Sequence, residues 1–328
     1  MKKIAAIFIA AAMLFLLAGC SFSFYQREAE SRNIYKNHIA VEADSSATYT
    51  ERVAASRSAA VVSIISNTVI RTNRGSGSVT QVFSGVIIDA EGYVLTTSNA
   101  AYLQVSNGGS IYGNRVMSAY AVLPAVFNDT AHYKLTLIDY DTSAGLALFR
   151  FYDTFHYYTD DSRNASEEGF QIFAALSGES VVTGERCVGI GNSLGNALNT
   201  DVIAPDRIGE IEQTVMSGII SDADARADEK GLEPVVFGGK EYGYILTTVP
   251  LNIDMYGGAL FDESGYLIGL LAMKIGYQSS STGASGYFKR VGAASRAGLL
   301  TAYIDSVAEE LSLPIPYTVA SVSAGEAA

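Results

Sequence analysis

Cysteine is almost missing: Cys20 and Cys187 are the only two in 328 residues, which excludes a disulfide-stapled fold. No C-x-x-C pair occurs, and the three histidines, His38, His132 and His156, are scattered. A zinc site therefore has no ligand set, and neither a metal nor a cofactor is expected. Cationic side chains are also scarce. Lys and Arg number 22 against 34 Asp and Glu, a net charge of -12. A surface that negative repels phosphate backbones, so nucleic acid is not expected as a partner. Tryptophan is absent while tyrosine occurs 20 times. What is present, 48% hydrophobic and 17% charged residues, is globular composition with material for about two domains.

The N-terminus carries two lysines, Lys2 and Lys3, followed by an uninterrupted apolar run over residues 4–18. That run is shorter than the roughly 20 residues a bilayer span needs, so residues 1–19 read as an export signal. Leu17-Ala18-Gly19-Cys20 resembles the lipobox of bacterial lipoproteins, in which the cysteine thiol receives lipid such as palmitate. The resemblance implies a lipid attachment site at Cys20 and an exported protein tethered to a membrane of the cell envelope. Cleavage there removes both lysines and takes the charge from -12 to -14. Cys187, inside the run Arg186-Cys187-Val188-Gly189-Ile190, reads as a small core residue rather than a nucleophile.

Residues 20–55 are polar and weakly patterned, as suits a tether or linker. From residue 56 short β-rich runs are punctuated by Gly, Asn, Asp and Ser. The runs fall at 60–65, 82–89, 92–97, 134–139, 146–151, 180–190, 244–249 and 266–274. Asp89-Ala90-Glu91-Gly92 and Asp262-Glu263-Ser264-Gly265 are hairpin turns on this reading. Strands recur without the intervening helices of a parallel sheet, so the class is all-β, barrel or sandwich. Residues 157–169 and 222–241 read as surface excursions, and His132 as a surface or half-buried residue at a strand start. Leu300, Tyr303, Ile304, Val307, Ala308 and Leu311 recur at helical spacing. They predict one closing helix, capped by Ser295 and stopped by Pro314 and Pro316. Residues 313–328 then form a flexible tail.

Five ordered segments between residues 56 and 311 resemble the trypsin-like serine proteases of the HtrA (DegP-type) group. Ser84-Gly85-Val86-Ile87-Ile88-Asp89, with Gly92-Tyr93-Val94-Leu95-Thr96 after it, is similar to the strand pair leading to that family's histidine. Asp139-Tyr140-Asp141 and Gly145-Leu146-Ala147-Leu148 match the segment bearing its aspartate. Gly189-Ile190-Gly191-Asn192 and Val215-Met216-Ser217-Gly218-Ile219 match two structural motifs. Asp254-Met255-Tyr256-Gly257-Gly258-Ala259-Leu260 lies on the nucleophile loop. The resemblance implies a trypsin-like domain over residues 56–312. Its fold would be two packed six-stranded antiparallel β-barrels with a C-terminal helix, without the PDZ domain that relatives often append.

Carried onto this chain, the histidine position holds Asn99, the aspartate position Gly145 and the serine position Tyr256. Asp254 stands where a glycine N–H helps build the oxyanion hole. An amide cannot act as a base near neutrality, glycine cannot orient one, and a phenol is too bulky for serine's attack geometry. Asp254 puts negative charge where an oxyanion would form. The expectation is a membrane-anchored pseudoenzyme with no catalytic residues, a binding scaffold or regulator with a protein or peptide of the envelope as partner. The alternatives are a hydrolase with a rebuilt site and a purely structural lipoprotein. Tyr256 reads first as a filler of the vacated pocket in a tyrosine-rich chain, and second as a contact surface of the old cleft.

Overall fold

The computed structural model describes residues 31–34, 46–72, 75–107, 110–124, 132–158, 166–193, 212–226, 234–251, 255–275 and 291–320. Residues 1–19, expected to be an export signal, and Cys20 lie outside them. A first helix, α1 (Tyr49–Arg57), precedes six strands: β1 (Val61–Thr72), β2 (Gly75–Ile87), β3 (Tyr93–Thr97), β4 (Ser118–Val122), β5 (His132–Asp141) and β6 (Leu146–Phe151). They close as a barrel in the order β1-β2-β3-β6-β5-β4. Six more follow: β7 (Arg186–Ser193), β8 (Glu212–Ala225), β9 (Tyr244–Thr247), β10 (Ala259–Asp262), β11 (Leu267–Ile275) and β12 (Val291–Arg296). These run β10-β7-β8-β9-β12-β11, and the β10–β11 pairing closes the second ring. All barrel pairings are antiparallel, and closure removes the open edges of a flat sheet. The closing helix is α2 (Ala297–Leu311).

The apolar runs are continuous because many strands are buried on both faces. Val62, Ile87, Val94 and Phe149 fill the interior of the first barrel. Their neighbours Val61, Val86, Leu95 and Leu148 point the other way, into a core shared with Val188, Ile190, Leu246 and Phe261 of the second barrel. Cys187, Ile245, Leu260 and Leu271 fill the second barrel's interior. Leu300, Tyr303, Ile304 and Val307 of α2 join the shared core, and the Tyr303 hydroxyl donates to Asp139 Oδ2 at 3.1 Å. The helix thereby touches both barrels. Burial beside that carboxylate pushes the Tyr303 phenol well above its usual range.

Several local expectations need correction. Ser295 does not cap α2; it pairs with Tyr244 and Leu270 inside β12, and the cap position is Arg296 with no side-chain bond. Leu311 is exposed rather than part of the buried stripe. The run 180–190 becomes a strand only from Arg186, because Gly184 N–H turns to the Ile220 carbonyl. The excursion 222–241 starts inside β8, which reaches Ala225, and ends in a hairpin of Val235–Phe237 with Lys240–Tyr242. The excursion 157–169 starts and ends in a pairing of Thr154–Tyr158 with Ser166–Glu168. Past α2 the chain stays attached as far as Ala320: Ile315 is buried, and Val319–Ala320 pairs in parallel with Leu176–Ser177. Helix α1 was not among the expected elements. Its signal is a capping box, in which Thr48 Oγ1 accepts from Glu51 N–H and Glu51 Oε2 from Thr48 N–H.

Asp89 shows the cost of a tight turn packed into a core. Its Oδ1 accepts Tyr93 N–H at 2.7 Å, while Oδ2 is buried with no hydrogen-bond partner. Burial raises the carboxyl to about 6, so the fold holds a proton that the unfolded chain releases at its ordinary value of 3.8. The stabilisation is complete below that ordinary value and disappears as pH rises through about 6. Asp89→Asn keeps the acceptor without the charge. Urea unfolding should show the variant more stable than wild type at pH 7 by on the order of 2 kcal/mol, with the gap vanishing at about pH 4. An equal gap at both pH values would refute the account.

Candidate functional site

Two of the four positions singled out in the sequence, Asn99 and Tyr256, line one cleft, and a third, Gly145, is bonded to Ser98 in its wall. Asn99 sits in the single 3-10 turn Ser98–Ala100 that ends β3, where Thr97 Oγ1 accepts its N–H at 3.3 Å. Its side chain is exposed. Gly145 lies in the turn between β5 and β6, at φ 71°, and its carbonyl accepts Ser98 N–H at 2.9 Å. That turn is built by Asp141, whose Oδ1 accepts from Ser143 and Ala144 N–H. Gly145 therefore stands behind Asn99 with no side chain to offer it. Tyr256 follows the fully buried Met255 and is half-buried against the first barrel's core. Asp254 lies outside the described residues.

Asn99 and Tyr256 line one cavity of about 320 Å³, together with Gln81, Phe83, Ser98 and Thr142. Tyr102, Leu103 and Gln104 complete its wall. Every one of these nine residues is uncharged, and no histidine is among them. His132 is exposed at the start of β5, as expected, and His156 lies in the Thr154–Tyr158 strand. His38 is outside the described residues. The lining amides and hydroxyls donate and accept hydrogen bonds, but amides do not take up protons near neutrality. Cys187 is fully buried in the second barrel, its Sγ 3.1 Å from Thr247 Oγ1. Burial lifts its thiol to about 11, an inert cysteine.

One seam fixes the cleft. Ser84 of β2 donates its N–H to the Tyr256 carbonyl at 2.9 Å, and its own carbonyl accepts Thr96 Oγ1–H at 2.6 Å. Its Oγ accepts Asn192 N–H at 2.8 Å. Gly257 next to Tyr256 has φ 85°, and a Cβ there would run into Thr96 Oγ1 and the Ser84 carbonyl. The turn of residues 255–257 is thus held against the first barrel by glycine-only backbone and by Ser84. Gln81, Ser84 and Tyr102 were not singled out in the sequence. Gln81 had a legible signal, a polar residue in the same β2 register as the buried Phe83; Ser84 and Tyr102 had none.

A larger cavity of about 560 Å³ lies on the second barrel, lined by Glu179, Glu185, Arg186 and Asp262 among others. It shares no residue with the cleft. Its Asp262 is occupied by turn bonds from Ser264 and Tyr266 N–H. Among the described residues no cluster of His, Cys, Asp and Glu could hold a metal ion.

The model of the trypsin-like peptidase domain family matches residues 83–270. Among solved structures, a variant of the HtrA-type protease AlgW with a decapeptide superposes with a TM-score of 0.52 at 22% identity. It covers 81% of this chain and 68% of its own. The same protease with a tripeptide gives a TM-score of 0.48 at 24% identity, over 80% of this chain and 64% of its own. No curated protein sequence matches.

Replacing Ser84 by Ala leaves the buried Asn192 N–H without its acceptor. Denaturant unfolding should report a loss of about 1–3 kcal/mol, the cost of an orphaned buried donor. A change within about 0.5 kcal/mol would mean that the seam does not hold the cleft.

Proposed function

The chain belongs to the trypsin-like peptidase domain family, and from that membership we propose that it is a catalytically inactive member, lipid-anchored through Cys20, that works by binding in the cell envelope. The observation carrying this reading is the cleft itself. Where a base and a nucleophile would stand it presents Asn99 and Tyr256, with only uncharged neighbours among its described lining. Serine attack needs a base that titrates near neutrality and a third group that orients it. Asn99 supplies no such base. Gly145 supplies no orienting group, and its φ of 71° is a conformation that most side chains resist. Acidic residues in excess and Asp254 in the nucleophile loop disfavour an anionic partner. A scaffold or regulator that holds a neutral or basic envelope component is the role this chemistry supports.

The catalytic part is tested with a serine-reactive fluorophosphonate and an unfolded protein substrate. Wild type and Tyr256→Ser should both remain unlabelled and inactive, because triad members act as a unit and their losses are strongly non-additive. Proteolysis by either protein would shift support to a hydrolase with a rebuilt site. The anchor is tested by intact-mass measurement of the membrane fraction. Cys20 should carry acyl mass in the wild type, and Cys20→Ala should abolish it and release the protein from membranes, since multiple acyl chains are what hold it there. An unmodified Cys20 thiol in the wild type would remove the anchor from the proposal.

A further inference from the structure

The turn between β2 and β3 does more than join two strands, because the chain that crosses from one barrel to the other is fastened to it. Phe170 N–H donates to the Ala90 carbonyl at 2.7 Å, and Ala174 N–H donates to the Ile87 carbonyl at 2.8 Å. Two glycines allow this approach. A Cβ on Gly169 would run into the Ala90 carbonyl, and one on Gly92 would meet the Phe170 ring. Phe170 is buried, with its ring centroid 4.9 Å from that of Phe151 and 4.6 Å from that of Phe155. Immediately beyond, the Ala175 carbonyl accepts Leu267 N–H at 2.8 Å, and Leu176 pairs with Leu267 of β11. Residues 169–174 are therefore the crossover, held to the first barrel at this turn and to the second barrel directly after it.

Asp89 sets that turn. Its Oδ1 accepts Tyr93 N–H, and its buried Oδ2 has no hydrogen-bond partner. An ionised carboxylate there carries charge that neither water nor a donor compensates, and a proton removes it. The charged groups facing it are Glu91 and Arg150, which pair with each other at 2.8 Å. Arg150 also lies over the Tyr93 ring, 5.0 Å from its centroid. The crossover itself has no titratable side chain. The hairpin leading into it adds Glu167, Glu168 and His156, the last opposite Glu168 in register. We infer that Asp89 is a proton-operated clamp on the crossover. With the proton on, the turn holds residues 169–174 against the first barrel; with the proton off, this segment opens while both barrels stay folded. The sign follows from the raised carboxyl: closure is strongest below the ordinary value of 3.8, weakens as pH rises, and stops weakening above about 6.

The test is amide hydrogen exchange of the full-length protein in detergent, read by mass spectrometry and corrected for the chemical exchange rate. Between about pH 5 and about pH 7.5, peptides covering residues 169–174 should lose about tenfold in protection, since each unit of difference between closed and open carboxyl changes the opening constant tenfold. At the higher pH they should also exchange faster than peptides of β7, the mark of a local opening. Asp89→Asn removes the titrating group and should abolish the fall in protection. Two exposed neighbours keep the test valid even if that variant fails to fold. Glu91→Gln removes a like charge, so protection should level off at a lower pH than in wild type. Arg150→Gln removes the cation, so protection should level off at a higher pH. A merely structural turn would produce neither shift. Equal protection of residues 169–174 and β7 at about pH 7.5 would assign exchange to global unfolding and overturn the inference. A pH-dependent fall that persists in Asp89→Asn would belong to His156 and overturn it as well. So would a levelling pH that neither Glu91→Gln nor Arg150→Gln moves.

Discussion

Ser84 joins the two barrels beside the cleft that Asn99 and Tyr256 line. Three of its atoms are committed: N–H to the Tyr256 carbonyl, carbonyl to Thr96, and Oγ to Asn192 N–H. Tyr256 and Asn192 belong to the second half of the chain, Thr96 and Ser84 to the first. The seam can be this tight only because Gly257 lets the backbone pass against the Ser84 carbonyl and Thr96. That contact fixes the Tyr256 backbone beside the first barrel.

The separation of fold from site explains how such a chain can keep the family architecture. Stability resides in three apolar clusters, two inside the barrels and one between them. None of Asn99, Gly145 and Tyr256 is a fully buried member of those clusters. Exchanging surface-lying side chains at a cleft costs little of the burial that holds a domain together. Side chains at these positions can therefore change while the barrels stand. The C-terminal helix reinforces this arrangement through the bond of Tyr303 to Asp139, which ties an element of the second half to a strand of the first.

Among the described residues, buried side-chain atoms without a hydrogen-bond partner occur on Thr68, Gln81, Asp89 and Asn192. Asp89 pays for its turn with a second carboxylate oxygen that has no partner, and Gln81 stands unpaired in the cavity wall. The two differ in what relieves them. Protonation relieves Asp89, whose carboxyl is raised mainly by burial. No proton relieves an amide oxygen near neutrality, so the Gln81 acceptor stays unpaired across that pH range.

The sequence alone determined an all-β chain with one closing helix, and the pair of barrels was legible only through the ordered motifs that resemble the trypsin-like proteases. Val, Ile and Leu at 61–65, 86–88, 94–95 and 146–149 with turn residues between them dictate short strands, and their unbroken runs reflect strands buried on both faces. Leu300, Tyr303, Ile304 and Val307 dictate α2 because helical periodicity is a local property. Asn99, Gly145 and Tyr256, at the positions that the family resemblance assigns to a triad, were equally legible, since motif order carries them. Tertiary structure decided the rest. Ser295 became a strand residue because its partners Tyr244 and Leu270 are remote in sequence, and cross-strand pairing overrides a local capping preference. Tyr102 became part of the cleft because the hairpin of Tyr102–Asn107 with Ser110–Arg115 starts beside Asn99 and meets Tyr256 there. Hydrogen bonds such as Ser84 to Asn192 span 108 residues, and no local pattern encodes which remote atom a buried hydroxyl will meet.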